Sequence, residues 1–223
     1  MSAAGPLELH RLPTPSLLAE LRSRLATCVP GGPPRITHYA GLAPPRLEAI
    51  LPAAVTRAAV LVPIVDRGEE LTVLLTLRAA DLKHHAGQIS FPGGRLEAGD
   101  SDATAAALRE AREEIGLASE FVEVLGCLPE HAVITGYRVT PVVALVRPGF
   151  SLVIDPTEVA GTFEAPLRHL LDPATRTRRR RSFGGEEIEF LDLPWGQFNI
   201  WGATAGMLFT LREVLGGTPG HGD

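Results

Sequence analysis

One helical segment, Ser101 to Ile115, constrains the fold of this chain more than any other. Alanine, leucine and charged residues fill it, Ser101 is the predicted N-cap, and Gly116 stands where a helix turns left-handed and ends. Runs of β-branched and aliphatic residues on either side predict strands at 58–65, 71–78, 121–128 and 139–146. Strands and helices that alternate through short connections are typical of an α/β domain, which is the fold class we expect.

The composition divides the chain into three parts. Residues 1–50 are rich in Pro and Ala and contain one predicted helix, Ser16 to about Ala26, so we interpret them as an N-terminal arm. Residues 51–216 form the predicted main domain, and residues 217–223 a flexible tail. The other elements predicted in the main domain are a short helix at 165–171, a β-hairpin at 177–193 across Gly184 and Gly185, and a closing helix at 203–215.

Composition excludes several classes of function. The chain has 21 Lys+Arg against 26 Asp+Glu, and this net charge of −5 argues against a general nucleic-acid binder. Its longest apolar run, Ala58 to Val65, is far shorter than the ~20 residues of a membrane span. The two cysteines lack metal-ligand spacing and fit a reducing compartment. We therefore expect a cytoplasmic protein with a small-molecule ligand and no nucleic-acid or membrane partner, either a monomer or a homodimer.

Three carboxylates mark the C-terminal half of the predicted helix. Glu110, Glu113 and Glu114 are spaced i, i+3 and i+4, which places them on one stripe with Cβ atoms roughly 5–6 Å apart. Their repulsion costs only about 0.2–0.5 kcal/mol per exposed pair, and Arg109 and Arg112 can offset it. A solvated charged face is therefore one interpretation of this stripe, and a binding site for a cation is the other.

A glycine-rich loop precedes the helix and favours the cation site. At Gly93 and Gly94 the backbone can approach a ligand closely or place its own carbonyl on an ion, although a tight turn also needs such residues. Mg²⁺ and Mn²⁺ prefer oxygen ligands and commonly bridge to substrate phosphates. The loop and the stripe together predict a site for one of these metals, suited to phosphoryl chemistry.

Loop and helix together resemble the Nudix box, whose pattern is G, five residues, E, seven residues, then R-E-U-x-E-E-x-G-U with U aliphatic. This chain has Gly94, five residues, Asp100, eight residues, and then Arg109 to Leu117 with the sequence REAREEIGL. Three departures stand out: Asp100 replaces the first Glu, the second spacer is one residue longer, and Ala111 fills an aliphatic position. The insertion falls at the loop-to-helix junction, where it leaves the helix in register.

The resemblance implies a Nudix-like α/β/α sandwich with a mixed β-sheet and a hydrolase of nucleoside diphosphates linked to another moiety. Water would attack a phosphorus of the P–O–P bridge, with Glu113 or Glu114 as general base. Arg109 would orient the carboxylates, and Asp100 would help to hold the loop. The divalent-metal ligands implied by the resemblance are Glu110, Glu113, Glu114 and the carbonyl of Gly94.

A second motif lies upstream of the box. The sequence LLTLR at 74–78, followed by Leu82, His85, Gly87, Gln88 and FPGG at 91–94, resembles the signature of the coenzyme A pyrophosphatase branch of the family. That branch cleaves coenzyme A or its derivatives into 3′,5′-ADP and 4′-phosphopantetheine. The substrate-binding residues implied are Arg78, His85, Gln88 and Gly93. From the residues alone, Arg78 could fork onto a phosphate or form a structural ion pair, and His85 could contact substrate or brace the loop.

Two other functions remain open at this stage: hydrolysis of ADP-ribose or a dinucleotide, and a non-catalytic module that binds a nucleotide and regulates a partner. The retained carboxylates argue against the second, since a binding module has no need of them. Glu158 is a downstream acid that could complete the metal shell. The arginine run at 176–181 could meet the 3′-phosphate of coenzyme A, but alternate strand residues point to opposite faces, so at most about half can converge. A solvated strand edge is the alternative for this run.

Overall fold

The structure is a computed structural model that describes residues 8–27, 35–36, 39–40, 55–79, 87–133, 135–183 and 186–216 of the 223-residue chain. Its helices are α1 (Thr14–Leu25), α2 (Ala103–Ile115), α3 (Leu167–Leu171) and α4 (Gly202–Val214). Its first strands are β1 (Arg35–Ile36), β2 (Tyr39–Ala40), β3 (Thr56–Asp66), β4 (Leu71–Arg78), β5 (Ile89–Ser90), β6 (Gly93–Arg95) and β7 (Val122–Cys127). The later strands are β8 (His131–Val133), β9 (Tyr137–Val146), β10 (Val159–Pro166), β11 (Thr177–Phe183), β12 (Glu186–Trp195) and β13 (Phe198–Ile200).

The larger of two sheets runs in the order β1-β8-β9-β3-β4-β10, with β5 on β4, β6 on β3 and β7 on β9. It is mixed, because β3 pairs in parallel with β9 from Thr56 to Val65 and antiparallel with β4. A smaller sheet contains β11, β12 and β13, with β2 on β12. The predicted α/β class with a mixed sheet is therefore confirmed.

Helices cover both faces of the larger sheet. Strand residues alternate between the faces, so Leu61 and Val65 of β3 pack with α2 while Val62 and Ile64 pack with α1, α3 and α4. Leu17 and Leu21 of α1 are fully buried in this second core. The described part of the N-terminal arm thus packs against the sheet, whereas the C-terminal tail at 217–223 lies outside the described residues.

The helix predicted at 101–115 begins at Ala103, and the prediction of Ser101 as its N-cap was wrong. Asp102 is the N-cap, because its carboxylate accepts a hydrogen bond of 2.8 Å from the backbone N–H of Ala105. The predicted C-terminus is confirmed, since Gly116 has φ 69° and its N–H donates to the carbonyl of Arg112.

The predicted strands and the hairpin are confirmed within about two residues, with the turn at Gly184 and Gly185 outside the described residues. The sequence did not indicate β10, which forms because it pairs along β4 from Val159 opposite Arg78 to Pro166 opposite Thr72. The short helix predicted from 165 begins only at Leu167, because Ala165 and Pro166 still belong to β10 and pair with β4. In the part of the chain that the structure describes, no helix is both long and apolar enough to cross a membrane.

Candidate active site on the acidic helix

Two glycines bring the sheet close to α2. Gly93 and Gly94 belong to β6, opposite Val60 and Ala59 of β3. A Cβ atom on Gly94 would lie 2.3 Å from Oε1 of Glu110, and one on Gly93 would lie 2.4 Å from the carbonyl oxygen of Ala59. A side chain at either position would therefore separate the strand from its neighbour or displace the Glu110 carboxylate.

Glu114 is the innermost carboxylate of the site. Its side chain is 2% exposed, its Oε2 accepts a hydrogen bond of 3.1 Å from the N–H of Gly93, and its Oε1 lies 3.7 Å from Nη1 of Arg78. Burial raises the pKa of Glu114 to about 7, although the Gly93 N–H and the charge of Arg78 oppose the rise. The negative charges of Glu158 and Glu110 act in the same direction as burial and contribute to this raised pKa. A buried carboxylate of this kind is stabilised by a cation placed beside it.

Glu110 shares this electrostatic environment. Burial raises its pKa, hydrogen bonding and charge from Arg109 lower it, and the charges of Glu113 and Glu158 raise it again. Glu158 lies just before β10, where its carbonyl accepts a hydrogen bond of 2.9 Å from the N–H of Ala79. Because β10 pairs with β4, the fold places Glu158 at the same end of the sheet as Arg78. The turn before β10 also contacts α2, because the N–H of Asp155 donates to the carbonyl of Glu114 at 2.9 Å and the N–H of Glu158 donates to the carbonyl of Asp155.

Arg109 joins the loop to the helix. Its Nε and Nη2 donate to Oδ1 and Oδ2 of Asp100, both at 3.0 Å, and Nη2 also donates to the carbonyl of Arg95. Its Nη1 donates to Oε1 of Glu110 and Oε2 of Glu113, both at 2.9 Å. The two hydrogen bonds to Asp100 contribute most to raising the pKa of Arg109, and those from Arg109 likewise lower the pKa of Asp100. The guanidinium therefore uses its full set of donors to tie three carboxylates and the loop backbone together.

The carboxylate stripe of α2 runs from the core to solvent. The Glu114 side chain is 2% exposed, that of Glu110 13% and that of Glu113 59%. The solvated charged face considered from the sequence therefore describes Glu113 alone. The other two carboxylates face β6 and the end of β4.

The donor set of the site fits a hard divalent cation. Within the described ranges, no three Asp, Glu, His or Cys side chains already surround a common point as ligands would. The available donors are carboxylate oxygens, and Glu110 and Glu114 have pKa values raised by burial, which a cation would lower. Arg109 donates through one nitrogen to Oε1 of Glu110 and Oε2 of Glu113, which leaves the second oxygen of each carboxylate outside these two hydrogen bonds.

The structure brings most of the predicted substrate-binding residues to this end of the sheet. Arg78 is the last residue of β4, and its backbone N–H donates to the carbonyl of Gln88 at 3.0 Å. Gly93 contacts the site through its backbone N–H, which donates a hydrogen bond to Oε2 of Glu114. His85 lies outside the described residues. The motif upstream of the box and the box itself thus meet at the pair Arg78 and Glu114.

Comparison with known proteins agrees with this geometry. The profile of the NUDIX domain matches residues 55–183. The chain belongs to the Nudix hydrolase family. Nudix hydrolases generally use divalent metal ions and act on small molecules. The matched range includes the elements that build the site, namely β3, β4, β6 and α2.

Similar proteins include two named "Uncharacterized Nudix hydrolase NudL". The one from Cronobacter sakazakii is 41% identical over 172 residues, which cover 73% of this Nudix hydrolase and 84% of the relative. The one from Escherichia coli strain K12 is 40% identical over the same length and coverage.

Two solved structures are also similar to this Nudix hydrolase. A binary complex of the Caenorhabditis elegans Ap4A hydrolase has a TM-score of 0.43 and 21% identity, covering 49% of this chain and 80% of that one. The NUDIX domain of Shewanella oneidensis NrtR, complexed with ADP ribose, has a TM-score of 0.41 and 18% identity, covering 58% and 87%.

Proposed function

We propose that this Nudix hydrolase is a divalent-metal-dependent pyrophosphohydrolase that cleaves coenzyme A, or a derivative of it, into 3′,5′-ADP and 4′-phosphopantetheine. The observation that carries the proposal is the contact between Arg78, which ends the LLTLR motif, and Glu114 of α2. Arg78 is part of the motif that resembles the coenzyme A branch, and Glu114 belongs to the part that resembles the Nudix box. Their meeting supports a single site that uses both.

The carboxylates of Glu110, Glu113 and Glu114, with the carbonyl of Gly94, would hold Mg²⁺ or Mn²⁺. When bound, the metal neutralises charge on the diphosphate and lowers the pKa of a coordinated water. The chain's own contribution is to orient the ligands. Arg109 fixes Glu110 and Glu113 against Asp100, and the Gly93 N–H fixes Glu114.

The reaction needs an acceptor for one proton. The oxygen of water bonds to one phosphorus of the P–O–P bridge, the bond from that phosphorus to the bridging oxygen breaks, and both products leave as phosphomonoesters. Glu113 or Glu114 accepts the proton that the attacking water loses. No covalent enzyme intermediate is involved, so no serine or cysteine nucleophile is required.

Recognition of the diphosphate would fall to Arg78, Gln88, His85 and Gly93. The Arg78 side chain is 23% exposed and ends a strand at the site, so its guanidinium can fork onto a phosphate while it stays near Glu114. Gly93 has no side chain, so its contribution would come from its backbone, whose N–H donates to Glu114 and positions that carboxylate.

A substrate panel tests the proposal. The full-length chain, with Mg²⁺ or Mn²⁺, would be incubated with coenzyme A, ADP-ribose, NADH and dNTPs, and the products separated by chromatography. The expected result is 3′,5′-ADP and 4′-phosphopantetheine from coenzyme A. Rapid turnover of ADP-ribose with none of coenzyme A would favour the alternative function, a Nudix hydrolase of ADP-ribose or dinucleotides. Binding of a nucleotide without turnover of any substrate would indicate the regulatory module.

A further inference from the structure

Residues 87–90 lead into the glycine-rich loop and include Gln88, one of the predicted substrate-binding residues. Backbone hydrogen bonds join this segment to the end of β4: the N–H of Arg78 donates to the carbonyl of Gln88 at 3.0 Å, and the N–H of Gly87 donates to the carbonyl of Arg78 at 3.2 Å. The next two residues form β5, which pairs with β4. The course of this short segment therefore determines where Gln88 lies relative to Arg78.

Two threonine hydroxyls hold the backbone of β5. Thr76 of β4, which is 1% exposed, donates to the carbonyl of Ser90 at 3.0 Å. Thr204 of α4, which is 8% exposed, donates to the carbonyl of Ile89, also at 3.0 Å. Thr76 belongs to the strand beside β5, whereas Thr204 lies 115 residues from Ile89 in the chain. The second hydrogen bond thus attaches the segment to a helix outside the sheet.

The position of Thr204 in α4 explains why its hydroxyl reaches β5. A threonine inside a helix can donate to the carbonyl four residues earlier, as Thr210 does to Gly206 at 3.1 Å. Thr204 is the third residue of α4, so the residue four positions earlier, Ile200, belongs to β13 rather than to the helix. Because the Thr204 side chain is buried, its hydroxyl needs a partner within the fold, and the Ile89 carbonyl supplies it.

The far end of the glycine-rich loop is fixed independently of Thr204. The N–H of Leu61 on β3 donates to the carbonyl of Pro92 at 2.9 Å, and Gly93 belongs to β6, which pairs with β3. The Gly93 N–H that donates to Glu114 is therefore attached to β3. Loss of the Thr204 hydrogen bond should release residues 87–90 and leave Glu114 in place.

We propose that Thr204 is a positioning residue for substrate binding. By holding the Ile89 carbonyl, its hydroxyl fixes residues 87–90 so that Gln88 and Arg78 bind the diphosphate together. This role rests on the proposed function, which assigns Gln88 and Arg78 to the substrate. It gives α4, which packs on the face of the larger sheet opposite α2, a part in substrate recognition. A purely structural role would stabilise the packing of α4 without affecting the affinity for substrate.

Steady-state kinetics of the full-length chain with Mg²⁺ test this role. Thr204→Val keeps the shape of the side chain and removes the hydroxyl, so KM should rise about 5-fold or more while kcat changes by less than about 2-fold. Thr204→Ser keeps a hydroxyl and should bring KM to within about 2-fold of the unmodified chain. The matched control is Thr210→Val, which removes a fully buried hydroxyl from the same helix, one that contacts His131 and Gly206, and should leave KM unchanged.

Amide hydrogen exchange gives a second readout that needs neither metal nor substrate. In EDTA, the N–H groups of Gly87 and Arg78 should exchange about 5-fold faster or more in Thr204→Val than in Thr204→Ser. The N–H of Leu61, bonded to Pro92, should keep its exchange rate in both variants. Unchanged exchange at Gly87 and Arg78, or a KM that Thr204→Val and Thr210→Val raise equally, would overturn the proposal. Faster exchange with an unchanged KM would show a purely structural role and would also overturn it.

The choice of substrate and of variant keeps this test separate from the proposed function. KM is measured on whichever compound of the panel the unmodified chain hydrolyses, so failure of coenzyme A as the substrate leaves the test of Thr204 in force. If none is hydrolysed, the dissociation constant of each compound, measured by calorimetry, replaces KM. If thermal unfolding shows that Thr204→Val does not fold, Thr204→Ala takes its place, because it removes the same hydroxyl and alanine favours a helix.

Discussion

Asp100 and Arg109 meet through two parallel hydrogen bonds, Nε to Oδ1 and Nη2 to Oδ2, both 3.0 Å long. A two-point pair of this kind fixes the plane of the guanidinium as well as its position. Asp100 is one methylene shorter than the glutamate of the Nudix box, and its spacer to Arg109 is one residue longer. The pair nevertheless forms. The combination of a shorter side chain and a longer spacer therefore preserves the contact between Asp100 and Arg109.

Asp100→Asn should reduce kcat by about 10-fold or more, because the amide can accept only one of the two hydrogen bonds and no longer balances the guanidinium. Arg109 would then orient Glu110 and Glu113 less well. The matched control is Asp102→Asn, which removes the same charge two residues away and keeps an N-cap oxygen for Ala105. Equal kcat values in the two variants would contradict the positioning role of Asp100.

Gly94→Ala should lower kcat by about 10-fold or more while the chain stays folded. The new Cβ atom would be 2.3 Å from Oε1 of Glu110, which is the end of a flexible side chain and can move, so the carboxylate is displaced but the backbone is not. Gly99→Ala is the control, because a Cβ there meets nothing within 4 Å. Metal affinity measured by calorimetry should fall only in the first variant; unchanged affinity would show that Glu110 is not a ligand.

Glu114→Gln should remove most turnover, by at least ~10²-fold if this carboxylate holds the metal. Stability without metal should rise or stay the same, because burial and neighbouring carboxylates already raise the pKa of Glu114 to about 7 and the neutral amide avoids that cost. Glu20→Gln on α1 is the matched control and should leave kcat unchanged. Denaturant unfolding and a kcat measurement on both variants check the prediction. Full activity in Glu114→Gln would refute this placement of the site.

Glu164 should make the free energy of unfolding depend on pH below neutrality. Burial raises its pKa, but hydrogen bonds from Arg67 and Thr72 outweigh burial, and the pKa lies below its usual value. A lowered pKa stabilises the fold above the unfolded-state value of about 4.3, and this contribution disappears as the pH falls through the folded-state pKa.

The difference in unfolding free energy between the unmodified chain and Glu164→Gln should therefore be largest near pH 7 and shrink below about pH 4. Urea unfolding of both proteins across that range measures it. A constant difference at every pH would mean that the charge of Glu164 does not contribute to stability.

Local sequence patterns predicted those helices and strands whose own residues favour that structure. The alanine, leucine and charged residues of 101–115, with Gly116 after them, were enough to place α2 and its end, and the aliphatic runs were enough to place β3, β4 and β9. β10 carries no such signal, because its residues include Gly161 and Pro166 and it is a strand only through pairing with β4. Ser101 and Asp102 are both good N-caps, and the folded backbone selects Asp102 by placing its carboxylate where it accepts from the N–H of Ala105.

By itself, the sequence determined that three glutamates share a stripe of one helix behind a glycine-rich loop, because helical spacing is a local property. The tertiary structure decided how each glutamate differs: Glu114 is buried beside Arg78, Glu110 closes over Gly94, and Glu113 faces solvent. It also decided that Glu158 acts on the stripe, and that Arg176 lies over an aromatic ring of α4 whereas Arg179 forms an ion pair with a buried aspartate of β12. These differences arise from pairing and packing between segments far apart in the chain, which local spacing does not encode.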